Sequence, residues 1–182
     1  MKFIFDFDNV LFHTTPGFRE HVYTSLERVG ISYDSSKEYL EKERLNLFSL
    51  KKMLIHFSAT EDLYEEIMSE NTNFVNDELL KVIRKIGKSN CYIVTYGEEE
   101  FQLDKIKKAG IDSFFCEIIA VPGSKKEAVE KICIKHNDEK VIFIDDTAKH
   151  FEDLDFKKHP NLQTIHYDEQ GFDKFISILP PQ

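Results

Sequence analysis

The chain has 182 residues, which at roughly 150 residues per domain allows one domain with a modest insertion but not two large domains. Lysine and arginine total 24 and aspartate and glutamate total 33, so the net charge is −9. This balance argues against binding to a nucleic acid polymer or to an anionic membrane surface, because both need a basic face. Hydrophobic residues make up 41% and aromatic residues 13%, too many for a disordered chain, and we expect a soluble globular protein.

The N-terminal segment has the pattern of neither an export signal nor a membrane span. Its apolar stretch is interrupted by Asp6, long before the roughly 20 apolar residues of a span are reached. The three cysteines, Cys91, Cys116 and Cys133, are odd in number and set in apolar surroundings. They predict buried thiols in a reducing compartment rather than disulfides or zinc ligands. We therefore expect a cytoplasmic protein.

Short apolar runs predict β-strands buried on both faces. Four runs are clear and a fifth is weaker, and they cover residues 2–7, 91–95, 115–121, 141–144 and 163–167. Segments with helical period lie between and after these runs. Strands that alternate with helices predict an α/β fold, a doubly wound, Rossmann-like parallel sheet of about five strands.

Residues 14–75 follow the first predicted strand and show helical patterns only. Two apolar stripes of helical period and one capping-box spacing are present, namely Phe18, Val22, Leu26 and Val29, then Leu47, Leu50, Leu54 and Phe57, then Ser58 with Glu61. We predict that residues 14–75 form a small all-helical cap domain. Residues 1–13 and 76–182 would form the α/β core domain.

Acidic pairs follow two of the predicted strands. Asp6 and Asp8 end the first strand, Asp145 and Asp146 follow the fourth, and Thr95 ends the second. In open α/β sheets, ligands bind beyond the carboxyl ends of the strands, where the strand order reverses. If the second and third strands lie on one side of the first and the fourth lies on the other, both pairs face one crevice. Four carboxyl groups there would repel one another without a cation, and oxygen ligands suit Mg²⁺.

Two lysines open a predicted helix. Ser124 and Glu127 have capping-box spacing, which places Lys125 and Lys126 in the first turn, where the helix dipole disfavours cations. A lysine here could neutralise the acidic crevice or a bound phosphate. The alternative, a solvated surface pair, remains open for at least one of them.

These residues resemble the motifs of the haloacid dehalogenase superfamily, most of whose members are phosphatases. Four motifs are matched in order, the first by Asp6, Asp8, Val10 and Leu11, the second by Thr95, the third by Lys125 with Lys126 as a register alternative, and the fourth by Asp145 and Asp146. Four motifs in the right order on the right elements are a specific signal. A helical cap between the first and second motifs also recurs in this family.

The resemblance implies a phosphatase that hydrolyses a small-molecule phosphate monoester through an aspartyl-phosphate intermediate. Asp6 would be the nucleophile, and Asp8 would protonate the leaving group and then activate water. Mg²⁺ would be held by the Asp6 side chain, the Asp8 backbone carbonyl and Asp146. Asp145 would be a neighbouring group or a further ligand.

The resemblance also implies how the phosphate is bound. Thr95 and backbone N–H groups near Asn9 and Tyr96 would hold the phosphoryl oxygens, and Lys125 would balance their charge. The family often has Asp or Asn about four residues after the metal-binding aspartate of the fourth motif. Here that position is His150, either a residue that supports the metal ligands or a surface residue.

No residue pattern selects a substrate. The candidates for contact with an anionic substrate are Arg19, His21, Arg44 and Lys51 in the predicted cap and His13 just past the first motif. The four cap residues also fit ordinary positions on a helix surface, and His13 also fits a packing or capping role.

Three alternatives to a phosphatase follow from the same residues. A phosphomutase of this family would keep the same acid but exclude water, and a catalytically silent member would only bind or signal. A receiver-like signalling module also combines an acidic cluster, Thr and Lys. Receivers place the acidic pair first, however, and have no helical insertion, so the motif order favours the phosphatase.

Overall fold

The computed structural model describes residues 1–43 and 47–179. Five parallel strands form one sheet in the order β3-β2-β1-β4-β5. The strands are β1 (Lys2–Phe5), β2 (Cys91–Tyr96), β3 (Glu117–Val121), β4 (Val141–Asp145) and β5 (Leu162–His166). This order confirms the predicted doubly wound sheet, in which β1 and β4 flank the point where the strand order reverses.

The central strands are apolar because both faces of the sheet are covered. Along β1, Phe3 and Phe5 point into one apolar cluster and Ile4 points into the other, as the period of two requires. All five residues of β4 are buried. Edge strand β3 is only partly buried along its length, which agrees with its single neighbour.

Eight α-helices surround the sheet in the described part of the chain. They are α1 (Arg19–Arg28), α2 (Tyr33–Glu43), α3 (Leu50–His56), α4 (Glu61–Ser69), α5 (Asp77–Ile86), α6 (Glu99–Lys108), α7 (Lys126–Lys135) and α8 (Gly171–Ser177). Between residues 14 and 74 the described residues form helices and turns but no strand, as the sequence predicts. The capping box expected at Ser58 is wrong, because Thr60 precedes α4 and Ser58 lies in a turn with φ of +54°.

The segments that enter and leave this helical insertion lie side by side. The His13 N–H donates to the Phe74 carbonyl at 2.7 Å, and the Asn76 N–H donates to the Leu11 carbonyl at 2.9 Å. Phe12 lies between these two segments. Its ring centroid is 4.9 Å from that of Phe7 and 5.8 Å from that of Phe74. Side chains of the insertion and of one sheet face belong to a single apolar cluster. The division into cap and core at residues 14–75 remains a prediction.

The cysteines differ from the sequence prediction at one position. Cys91 and Cys133 are buried free thiols, as expected, but Cys116 is exposed. It lies just before edge strand β3, where the sheet has no further neighbour to cover it. No helix among the described residues is long and apolar enough to cross a membrane.

Candidate active site

The first and fourth motifs meet because β1 and β4 are neighbours. Asp6 directly follows β1, and its N–H donates to the Ile144 carbonyl at 2.8 Å, which places its side chain beside Asp145 at the end of β4. The residues are 4% and 0% exposed. A cavity of about 610 Å³ opens at this edge, with Asp6, Asp8 and Asp146 in its wall.

Lys125 joins the two buried carboxylates. Its ammonium lies 2.8 Å from Asp6 Oδ1 and 2.7 Å from Asp145 Oδ2, and the residue is 1% exposed. Burial raises the pKa of Asp6 to about 7, with Lys125 opposing the rise and the neighbouring carboxylates adding to it. Lys126 instead contacts Glu130 at the surface, at 3.0 Å. The geometry therefore favours Lys125 as the motif lysine.

The start of α7 explains how Lys125 reaches this position. The helix begins at Lys126, one residue later than the capping-box spacing predicts, so Lys125 is the N-cap residue and not part of the first turn. Ser124 Oγ accepts from the Lys126 N–H at 3.0 Å. The ammonium is then held by two carboxylates, which offset the unfavourable end of the helix dipole.

Asp8 lies in a cluster of donors that the sequence did not reveal. Its carboxylate accepts hydrogen bonds from the Thr14 hydroxyl, from Gln102 Nε2 at 2.9 Å and from Lys105 Nζ at 2.5 Å. Burial alone would raise the pKa of Asp8, but these donors, led by Lys105, hold it below its usual value. In the substrate-free site Asp8 is thus stabilised as a carboxylate at the cavity wall.

Lys105 is a buried cation with an aromatic environment. It is 2% exposed, and its ammonium lies between 5.1 and 5.7 Å from the ring centroids of Phe7, Phe12, Phe18 and Phe101. Ring faces attract a desolvated ammonium, and Asp8 supplies the counter-charge. The cation is therefore tolerated in the core only because Asp8 and the rings surround it.

Asn9 connects the first motif to the fourth. Its φ of +57° turns the chain after Asp8, a conformation that asparagine tolerates better than most residues. Its Nδ2 donates to Asp146 Oδ2 at 3.0 Å, and its Oδ1 accepts from the Thr15 N–H at 2.9 Å. Its own N–H donates to the Phe12 carbonyl at 2.7 Å. Asn9 thus orients Asp146, and a role of its N–H in phosphate binding stays a prediction.

His150 lies against the acidic cluster, with its side chain 26% exposed. Its Nδ1 is 2.9 Å from Asp145 Oδ2, and the Thr147 N–H donates to Asp145 Oδ1 at 2.8 Å. His150 and Lys125 hold the pKa of Asp145 below its usual value although burial opposes them. Asp6, Asp145 and His150 each offer a ligand atom within 4.8 Å of the other two.

The charge balance of the site fits a divalent cation. The four carboxylates of the two acidic pairs face two buried lysines, which leaves two negative charges in excess when all are ionised. Burial is the main cause of the raised pKa of Asp6, and the nearby carboxylates of Asp145 and Asp8 add to it. Carboxylate oxygens are hard ligands of the kind that Mg²⁺ prefers.

The second motif lies near the end of β2, and Thr95 itself is not among the residues that line the cavity. Thr95 is fully buried, and its hydroxyl has no hydrogen-bond partner among the described residues. Since buried hydroxyls are nearly always paired, this one is suited to a ligand oxygen. Tyr96 is 38% exposed and lines the cavity together with Gly97.

Of the candidate substrate contacts that the structure describes, only Arg19 lines this cavity. His21 lies 3.2 Å from the Ile67 carbonyl, Lys51 pairs with Glu100 at 2.5 Å, and His13 borders a separate pocket. Arg44 lies outside the described residues.

Comparison with known proteins gives one family and several similar folds. Residues 3–150 match the family model of haloacid dehalogenase-like hydrolases. No curated protein matches the sequence significantly.

Three similar crystal structures are representative. A protein of Burkholderia xenovorans LB400 described as a haloacid dehalogenase-like hydrolase has a TM-score of 0.68 and 18% identity over 98% of this chain and 88% of that one. The YfnB protein of Bacillus subtilis, described as a hydrolase of this kind bound to magnesium, has a TM-score of 0.55 and 16% identity over 92% and 87%. A Thermotoga maritima protein described as a β-phosphoglucomutase has a TM-score of 0.56 and 15% identity over 98% and 100%. At these identities the likeness concerns the fold alone.

Proposed function

The chain belongs to the haloacid dehalogenase-like hydrolases, and we propose that it hydrolyses a small-molecule phosphate monoester through an aspartyl-phosphate intermediate, with Mg²⁺ as its cofactor. One observation carries this proposal. A buried carboxylate, Asp6, is held by Lys125 at 2.8 Å in the wall of a cavity that Asp8 also lines. The proposed nucleophile, which has a buried cation behind it, and the proposed acid-base group therefore border the same cavity.

Asp6 is the proposed nucleophile because its two oxygens have different surroundings. Oδ1 accepts from the Phe7 N–H at 2.7 Å and lies 2.8 Å from Lys125 Nζ. None of the described hydrogen bonds uses Oδ2. The carboxylate is therefore oriented by one oxygen and can attack phosphorus with the other.

Asp8 is the proposed acid-base group. In the first half-reaction, Asp8 enters protonated, Asp6 Oδ2 bonds to phosphorus, the P–O bond to the alcohol breaks, and Asp8 gives its proton to the leaving oxygen. In the second, Asp8 accepts a proton from water as that water attacks the aspartyl phosphate, which releases inorganic phosphate and restores Asp6. The three donors around Asp8 stabilise the carboxylate form that this second step needs.

The remaining polar groups would bind the phosphoryl group and the cofactor. Mg²⁺ bound by Asp6, the Asp8 backbone carbonyl and Asp146 would neutralise phosphoryl charge. Thr95, Lys125 and backbone N–H groups near Tyr96 would bind the phosphoryl oxygens. The partner implied by this site is a small phosphorylated molecule.

The test is release of inorganic phosphate from acetyl phosphate and p-nitrophenyl phosphate, in Mg²⁺ and in EDTA. We expect release that needs Mg²⁺ and falls at least about 10³-fold in Asp6→Asn. Asp173→Asn, which makes the same change at an exposed position of α8, is the matched control. Equal activity of Asp6→Asn and Asp173→Asn would refute the nucleophile. Conversion of a sugar phosphate to its isomer without phosphate release would instead identify a phosphomutase.

A further inference from the structure

The cavity has two chemically different walls. The wall at the sheet edge carries the carboxylates and their hydrogen-bond donors. The wall formed by the insertion and α6 is largely apolar, and its hydrophobic members are Phe18, Val22, Leu40, Leu47, Phe48 and Phe101. A molecule that fills the cavity therefore meets polar groups at one end and hydrocarbon at the other.

The apolar wall is rigidly supported. Phe18, Val22, Leu40 and Phe101 are at most 5% exposed, and the ring of Phe48 packs edge-on against Phe101 with centroids 5.6 Å apart. Side chains packed this closely keep their rotamers. The wall is therefore preformed and does not need to collapse around its ligand.

The donors of several polar groups near the apolar wall are already engaged, whereas Gln102 Oε1 is buried without a hydrogen-bond partner among the described residues. The Thr14 hydroxyl, Gln102 Nε2 and Lys105 Nζ all donate to Asp8, and the Thr15 N–H donates to Asn9 Oδ1. Arg19 is the one charged side chain that the insertion contributes among the described lining residues. It is partly exposed, so water can solvate it.

This wall disfavours a polyol. Each sugar hydroxyl buried against hydrocarbon without a partner lowers affinity by about tenfold or more. Each methylene buried there raises affinity about fourfold. The wall thus selects the body of the substrate in two ways, because it has few hydrogen-bond partners for hydroxyls and it has hydrocarbon surface for methylenes.

We infer that the substrate is the phosphate monoester of an alcohol with an apolar alkyl or aryl body, rather than a sugar phosphate or a nucleotide. This inference rests on the proposed phosphatase function, because it assigns the phosphate to the acidic end of the cavity. The apolar body lies against the wall of the insertion and α6.

The first experiment compares kcat/KM for methyl, butyl and hexyl phosphates with that for glucose 6-phosphate, in Mg²⁺. We expect kcat/KM to rise about fourfold per methylene until the cavity is filled, and to be at least about 100-fold higher for hexyl than for methyl phosphate. Glucose 6-phosphate should be no better than methyl phosphate. A flat alkyl series, or a preference for glucose 6-phosphate, would overturn the inference.

The second experiment removes part of the wall. Phe48→Ala should lower the ratio of hexyl to methyl phosphate kcat/KM by about tenfold or more, and this ratio does not depend on the folded fraction. Ile55→Ala, at a residue of α3 that is 76% exposed, is the control within the same insertion and should leave the ratio unchanged. An unchanged ratio in Phe48→Ala would remove that ring from the substrate contact and contradict the inference.

A binding measurement separates failure of the inference from failure of the proposed function. Phosphonates are not hydrolysed, and calorimetric titration should show hexylphosphonate binding at least about 100-fold more tightly than methylphosphonate. Turnover of acetyl phosphate with equal binding of the two phosphonates would overturn only the inference. No turnover of any phosphate would overturn the proposed function. In that case the ratio of hexylphosphonate to methylphosphonate affinity alone would support or contradict the apolar selectivity of the cavity.

Discussion

Replacing Lys125 by methionine tests whether the site is held together by one cation between two buried carboxylates. The substitution keeps most of the side-chain volume and removes the charge. Lys125 is 1% exposed and lies 2.8 Å from Asp6 and 2.7 Å from Asp145. Removing one partner of a buried ion pair costs about 3–5 kcal/mol, since the remaining charge is left without compensation. For a chain of this size, each kcal/mol lowers Tm by roughly 2–4 °C, so we expect a fall of about 6–20 °C.

The assay is thermal unfolding followed by circular dichroism in EDTA, with Lys126→Met as the matched control. Lys126 is the next residue, and its side chain is 36% exposed, so the same charge change there should cost less than about 1 kcal/mol. Adding Asp6→Asn to Lys125→Met removes one of the uncompensated carboxylates and should restore a substantial part of the lost Tm. Equal Tm values for the two lysine variants would refute this reasoning. A further loss in the double variant would also refute it.

Two further substitutions and one labelling experiment have separate outcomes. In Asp8→Asn, the loss of turnover should be at least about tenfold smaller for acetyl phosphate than for hexyl phosphate, because acetate leaves without a proton whereas an alkoxide needs one. Equal losses on the two substrates would contradict the acid role of Asp8. A Cβ at Gly97, where φ is +155°, would approach Gln102 Nε2 to 2.6 Å. Gly97→Ala should therefore destabilise the fold by about 1–3 kcal/mol and slow turnover. An unchanged Tm would contradict this packing. Only Cys116, the exposed thiol, should react quickly with a thiol reagent at pH 8. Burial raises the pKa of Cys91 to about 12, and the thiolate is the reactive form. Labelling of a second thiol at a similar rate in the folded protein would disprove this prediction.

The sheet and the acidic pairs were predictable because their physical causes leave simple patterns. Strands buried on both faces read as uninterrupted apolar runs, and the residue after each run lies at the ligand-binding edge. Asp6 and Asp145 therefore follow from chain position alone. The adjacency of their strands, confirmed by the sheet order, brings them together.

Lys105 and Gln102 were missed although a signal was present. Phe101, Lys105 and Ala109 recur every four residues, and all three are buried, so they share one helix face. A lysine on an otherwise apolar face normally extends its ammonium to solvent. Only the tertiary structure, which brings Asp8 to this face, shows that Lys105 is enclosed.

His150 and the start of α7 lie beyond sequence reasoning for a different reason. His150 lies in the short 3₁₀ turn Ala148–Phe151, which has no hydrophobic period to fix its direction. The bounds of α7 depend on which backbone N–H the Ser124 hydroxyl accepts, and neighbouring choices differ little in energy. Both details are determined by contacts across the molecule.

Phe12 couples the stability of the helical insertion to that of the sheet. Its ring touches Phe7 on the sheet side and Phe18 and Phe74 on the insertion side, within an apolar cluster that has no boundary between the two parts. Helices that share their core in this way lose their own stability when the sheet melts, and the reverse holds as well, so the chain should unfold in one cooperative step. Adaptation of the insertion to a new substrate is then coupled to the stability of the whole protein, which confines tolerated changes to side chains that face the cavity.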